Sequence, residues 1–407
     1  MNQNRIGSKP VTSNSQQTSA DRSTLLIKCL KKKKLLWIII GIITVILVVT
    51  IPIVIIKTKK TNEIKLSAMT IETTNVIKLS TLTTKTTTHK FTTTVANPMT
   101  TVQNKPKYKK WKQHGITIAG GNGYGDLLNQ LAYPVGICID DNNSFLIADT
   151  HNHRIIEWKY NSIIGEIIAG GNNGPGNRED QLNTPTDVIV DKKKNAIIIC
   201  DSDNTRVMRW FRESTTYPET IIANIHCGGV ATDKDESLYV SDYVKSEVRR
   251  WKEGHIDETL VAGGNGKGSL LNQFNGPGKI FVDEDYSIYV SDQANHRIMK
   301  WKKNAKEGII VAGGNGNGCH LNQLSFSTAV IVDNFGLIFI SDYVNHRVIR
   351  WSEGDTNGTI VVGGNGSGGG EPNQLNFPRG LSFDVDGNLY VVDSSNYRIQ
   401  KYELCTE

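Results

Sequence analysis

The chain has 407 residues, with 46 Lys and Arg against 40 Asp and Glu, for a formal net charge of +6. The surplus is unevenly placed: residues 1–106 carry 16 basic and 3 acidic side chains (+13), and residues 107–407 carry 30 and 37 (−7). Only the second part has the composition of a folded domain, and its acidic balance argues against nucleic acid as a partner, which would call for a basic footprint.

Residues 1–34 are polar, lack apolar periodicity and end in the run Lys31-Lys32-Lys33-Lys34; they read as a disordered cytoplasmic tail. Cys29, two residues before that run, is open to palmitoylation or is an unmodified thiol. Residues 35–56 then run 22 positions without a charge, long enough to span a bilayer as one helix. A cleavable signal peptide is the competing reading, but the run is longer than such a segment needs and no small-residue cleavage site separates Ile56 from Lys57. Arg22, Lys28 and the four lysines precede the span, and Lys57, Lys59, Lys60 and Lys65 follow it. Six against four favours a cytoplasmic N-terminus. The expectation is a single-pass type II membrane protein with its C-terminal domain extracellular or lumenal.

Residues 57–106 are dominated by threonine and hold too few large apolar side chains to fold a core. They suit an extended stalk, O-glycosylated or bare. Three N-glycosylation acceptors lie beyond the span, at Asn142, Asn357 and Asn365. Any one of them could arise by chance in an Asn-rich chain.

From residue 107 a repeat takes over. Residues 292–301 read Asp, two variable residues, Asn295-His296-Arg297, an apolar residue, two more and Trp301. Related segments occupy residues 149–158, 201–210, 342–351 and 393–402, with a degenerate copy at 242–251. The leading residues Asp149, Asp201, Asp242, Asp292, Asp342 and Asp393 fall 52, 41, 50, 50 and 51 residues apart, the period of a four-stranded propeller blade. Within a repeat, short runs rich in Ile, Val and aromatics are bounded by Gly, Asn or Asp, and no helical periodicity competes. Small sheets of this kind cannot bury both faces alone, so an all-β fold of six blades stacked around an axis is predicted. The last repeat lacks its outer strand, because little chain follows Tyr402. Residues 116–119 match the outer strands of the other repeats, so residues 107–120 are expected to complete the sixth blade and close the ring. Trp111 and Tyr402 both resemble the aromatic of the third strand, and the sequence leaves open which one packs there.

The Asp of each motif ends one strand and the Arg (Arg154, Arg206, Arg297, Arg347, Arg398) begins the next. The two should meet across a tight turn as a structural, charge-assisted pair. The third blade has Lys245, Ser246 and Glu247 where Asn, His and Arg stand elsewhere, and lacks the glycine loop found at Gly120, Gly263, Gly313 and Gly363 and, more loosely, at Gly170. These loops could be misread as phosphate cradles, but each leads into another blade and not into a helix, so they are read as permissive turns. Beyond Cys29, the five cysteines form no CxxC spacing and suggest neither a zinc site nor a disulfide framework. Cys200 stands where other repeats have Ala or Ser, and reads as a small buried side chain.

The Asn-His-Arg triplets at 152–154, 295–297 and 345–347, with the preceding Asp and following Ile or Val, resemble the signature of the NHL-repeat family. The resemblance covers about residues 107–407 and implies a six-bladed propeller. Its members include RNA-binding, protein-binding, sensor and enzymatic proteins, so it leaves function open. The peptidyl-hydroxyglycine lyases similar to this domain carry zinc-binding histidines just after the Pro that enters the innermost strand. The matching positions here are Val135, Thr186, Gly228, Gly278, Thr328 and Arg379, and none is histidine; His226 is close but alone. No cofactor or metal is predicted.

The leading expectation is therefore a recognition module that uses the loop face of the propeller to bind a protein, peptide or glycan. Candidate contacts are Arg379, Lys279 and Asp187, read as charges at one ring position, with His226 and the turn residues His153, His296, His346 and Tyr397. Two alternatives stay open: a metal-dependent lyase or hydrolase with an axial site, and a scaffold or RNA-binding propeller facing the cytosol.

Overall fold

In the computed structural model of the chain, residues 110–405 are described, apart from 172–173, 213–215, 253–257 and 365. The expected tail, membrane span and stalk, and Asn365, lie outside the described residues. Among those described, no helix is long and apolar enough to cross a membrane.

The described residues form 24 strands in six four-stranded antiparallel sheets. Blade 4 is representative: Pro277–Val282 is innermost, followed outward by Ile288–Asp292, Arg297–Trp301 and Ile309–Gly313. The innermost strands of successive blades adjoin one another, and that of blade 6 (Pro378–Phe383) returns to that of blade 1 (Ile137–Ile139), which closes the ring. All five residues of the second strand are buried in blades 1, 3, 4, 5 and 6. Neighbouring blades cover both faces of that strand, which is why its sequence is a continuous apolar run and not an alternation. The third-strand aromatics Trp158, Trp301, Trp351 and Tyr402 are likewise buried, each contributing roughly 1.5–3 kcal/mol on burial.

Ring closure follows the sequence expectation. Ile116–Gly120 pairs with Arg398–Tyr402, with Ile116 opposite Lys401 and Gly120 opposite Arg398. The open question about Trp111 and Tyr402 resolves with both buried in different places. Tyr402 lies opposite Leu389 as Trp301 lies opposite Ile288. Trp111 meets Phe339 edge-on at 5.4 Å and stacks on Phe383 at 5.9 Å, and its indole N–H donates to the Gly387 carbonyl at 2.9 Å.

Two features of blade 3 depart from the sequence reading or go beyond it. Cys200, read as an inert small side chain, is bonded to Cys227, with Cα atoms 5.5 Å apart. This disulfide ties the second strand of blade 2 to the first residue of the innermost strand of blade 3. Trp251, like Trp210 of blade 2, is only half-buried, and lines a side groove with Ile221 and Leu238. The short connection from Ala223 to Cys227 brings none of the loop residues that cover the other blades.

Candidate functional site

The repeat motif builds a hub between each glycine loop and the turn after the second strand. In blade 4, Asp292 Oδ1 accepts the Asn275 backbone N–H at 2.7 Å, while Oδ2 accepts Asn295 Nδ2 at 2.8 Å and Arg297 Nε at 2.7 Å. The guanidinium continues to the carbonyls of Ser269, Leu270 and Gln273 at 2.8–3.0 Å, so the loop is held by its own backbone. The same bonds recur around Asp149–Arg154, Asp201–Arg206, Asp342–Arg347 and Asp393–Arg398. Burial pushes all five aspartates above the ordinary carboxylate range, against the pull of their Arg and N–H donors. Asp242 lacks an arginine partner and accepts only backbone N–H groups at 2.8–3.4 Å, with Lys245 4.0 Å away.

The motif histidines have a second task. His153, His296 and His346 adopt left-handed φ values of 52–54°, and each Nδ1 accepts, at 3.1 Å, an N–H from the next blade: Thr184, Phe326 and Phe377 respectively. Expected as rim contacts for a ligand, they thus have one ring nitrogen committed to holding adjacent blades together. Burial lowers the pKa of His153 and His346. A depressed histidine pKa means that the unfolded chain binds the proton more readily. The stability these two contribute is complete above the unfolded value near 6.5 and is lost as pH falls through the lower folded value. We expect the denaturation midpoint to drop between pH 7.5 and pH 5, and His153→Asn with His346→Asn to flatten that dependence; asparagine tolerates the left-handed turn.

The charged candidates occupy two levels, which corrects their reading as one ring position. Arg379 follows Pro378 directly, whereas Asp187 and Lys279 stand one residue deeper in their strands. Asp187 and Lys279 pair with each other. The Lys279 ammonium also donates to the Thr186 carbonyl at 3.2 Å, and the Val230 N–H donates to Asp187 Oδ2 at 3.1 Å. This staple links blades 2 and 4 across blade 3, whose Gly228 and Gly229 leave room; a Cβ at Gly229 would lie 2.7 Å from the Lys279 Cα. The pair projects into an axial channel of about 220 Å³, to which all six innermost strands contribute. Burial lowers the Lys279 pKa against the pull of Asp187, and burial pushes the nearby Cys138 thiol up to about 11. Among the described residues, no group of three or more His, Cys, Asp or Glu side chains could hold a metal ion.

On the loop face lies a set of aromatics of which the sequence reading named Tyr397 but missed Tyr124, Tyr133, Phe326, Tyr343 and Phe377. Phe326 and Phe377 directly precede the innermost strands of blades 5 and 6, and Tyr133 precedes the proline that leads into that of blade 1, at φ 56°, 52° and 45°. Left-handed backbone costs a bulky residue on the order of 1 kcal/mol or more, and blade 4 has Gly276 at this position. Tyr397 lies 5.1 Å from Tyr133, with its hydroxyl donating to the Tyr133 oxygen at 3.2 Å, and Tyr124 and His151 complete that cluster. A second cluster joins Tyr343 to Phe377 at 4.7 Å and to Phe326 at 6.0 Å. Arg379 lies 4.8 Å over the Tyr343 ring. His226 stands apart, 5.7 Å from Tyr243. The available signal was an aromatic immediately before the entering proline, in Tyr133-Pro134 and Phe377-Pro378. Of the glycosylation acceptors, Asn142 and Asn357 are exposed in turns.

No curated protein matches the sequence. Among solved structures, a protein of unknown function from Bacteroides thetaiotaomicron has a TM-score of 0.58 at 20% identity, covering 73% of this chain and 77% of its own. An auxiliary nutrient binding protein from the same species scores 0.58 at 15% identity over the same shares. One from Bacteroides ovatus scores 0.55 at 13% identity, over 74% of this chain and 78% of its own. At such identities the likeness is one of fold. The NHL repeat family model matches residues 131–157 and 375–402, and each stretch ends in the Asp, Asn and Arg of a hub described above. With that hub in five of six blades and the ring closed, the chain is a six-bladed β-propeller that carries NHL repeats.

Proposed function

We propose that this propeller is a recognition module that binds a protein, peptide or glycan on its loop face. It is anchored by residues 35–56 as a single-pass type II protein with the propeller extracellular or lumenal. The observation that carries the reading is the choice of Tyr133, Phe326 and Phe377 at left-handed positions where Gly276 shows that glycine suffices. Retaining large rings at such a position makes sense if the rings do something at the surface. Tyr133 and Phe326 each remain 37% exposed, and Arg379 supplies a cation between flat apolar surfaces, as a selective binding surface requires. The nutrient-binding propellers show that this fold is used for binding elsewhere. The Cys200–Cys227 bond supports placement in an oxidising compartment.

Full-length protein probed against arrays of glycans and peptides should give a defined set of binders, with Arg379→Ala plus Tyr343→Ala weakening them at least about tenfold. Binding that this double variant leaves unchanged rules out the loop face. Sidedness is checked separately: protease added to intact cells should degrade the propeller, and degradation only after permeabilisation refutes the topology.

A further inference from the structure

The opposite face of the ring, where the first-to-second and third-to-fourth strand turns lie, holds a cavity of about 430 Å³ beneath blades 4, 5 and 6. It shares Phe281, Ile331 and Leu381 with the lower end of the axial channel, and its size falls in the range of small-ligand pockets. Trp111, Phe281 and Phe383 form aromatic walls, while Asp333, Asp384 and Asp386 stand in the lining, which contains no Lys or Arg. A neighbouring groove carries Asp283, Glu284 and Asp285 together with Lys300, which is paired with Glu353 at 2.9 Å. From aromatic walls and carboxylates in one cavity, we infer a site for a cationic group, the ammonium or guanidinium of a basic peptide segment from another protein.

Two features of the cavity support a cation over a neutral apolar group. Asp384 is fully engaged in its turn, with Oδ1 accepting the N–H groups of Asp386 and Asn388 and Oδ2 accepting Asn388 Nδ2 and Tyr390 Oη. Asp333 uses only Oδ1, for the N–H groups of Phe335 and Leu337 at 2.9 Å, so among the described residues its second oxygen is left without a hydrogen bond. Asp386 is exposed. The same face already binds ammonium groups on aromatic rings within the molecule: Lys303 and Lys234 lie 3.9 and 4.7 Å from the centre of the Tyr286 ring. Attraction of a cation to a ring face adds to the pull of the carboxylates and strengthens where water is displaced.

The test is calorimetric titration of the full-length protein with two hexapeptides, one alternating Gly and Lys and one alternating Gly and Glu. The lysine peptide should bind with an affinity that falls as salt rises, and the glutamate peptide should not. Asp333→Asn with Asp386→Asn keeps the turn acceptors and should weaken lysine-peptide binding about five- to tenfold. Arg379→Ala, on the other face, should leave it unchanged. Equal binding by wild type and the Asn variant overturns the assignment, as does absence of binding up to about 1 mM.

Discussion

Asp292→Ala is expected to reduce folding stability by about 3–5 kcal/mol, the range for removing one partner of a buried ion pair. The substitution strands Arg297, which is 5% exposed at its side chain, without a counter-charge, and it removes the acceptor for the Asn275 N–H and for Asn295 Nδ2. An uncompensated buried guanidinium accounts for most of the loss, and orphaned N–H donors add to it. The matching substitution in the degenerate blade, Asp242→Ala, should cost only about 1–2 kcal/mol, because it removes acceptors for backbone N–H groups without abandoning a buried arginine. Guanidinium-chloride denaturation of the two variants beside wild type measures the difference. Equal losses would mean that the arginine contributes little and that the hub acts only through its turn bonds.

Arg297→Lys separates geometry from charge. The guanidinium makes one bond to the aspartate and three to loop carbonyls, a fan that one ammonium cannot reproduce from the same position. The lysine variant should retain the charge balance and still lose about half the hub energy, since a net contribution of about 1 kcal/mol per lost bond falls on the loop carbonyls. Loop opening in that variant is expected to appear as faster amide exchange at Gly268, whose N–H donates to the Phe274 carbonyl at 2.9 Å.

The hub and the ring were readable from sequence because each is a repeated local pattern. Asp and Arg flank a short turn in every regular blade, and residues 116–119 carry the outer-strand pattern without an outer-strand partner of their own. What escaped depends on contacts between neighbouring blades, which spacing within one repeat does not report. The Asp187–Lys279 staple joins residues 92 apart, and it forms because Gly228 and Gly229 leave a gap between them. The aromatic arc is similar: Tyr133 and Tyr397 are 264 residues apart and meet only because the ring closes. In the hidden disulfide, a pattern exists between two columns of the repeat. Ser291, one residue before Asp292, has its hydroxyl 3.1 Å from that of Ser327, the first residue of the next blade. Cys200 and Cys227 stand at those same two positions two junctions earlier, so their bond is a covalent form of a contact the fold already makes.

Reduction of that bond, or its replacement by Cys200→Ser with Cys227→Ser, should lower stability by about 3–4 kcal/mol, the loop-closure value for a separation of 27 residues. The physical setting makes the junction sensitive. Blade 3 has neither an Asp–Arg hub nor a glycine loop leading into it, so the buried crosslink reinforces a junction held otherwise by the apolar packing of Ile198, Val207 and Ile222 against Val230, Leu238 and Val240 and by the Val230 N–H bond to Asp187. The serine pair should recover a little of the loss by reproducing the hydrogen-bonded contact of Ser291 with Ser327, whereas the reduced protein keeps two thiols that donate weakly. Because the loss is local, unfolding in reducing conditions should begin at this junction: limited proteolysis should cut first near the exposed residues Ala223 and Asn224, and cutting there should stop when the crosslink is intact. A denaturation curve that dithiothreitol leaves unmoved, measured on protein whose two thiols then react with a labelling reagent, would show that blade 3 is held by packing alone.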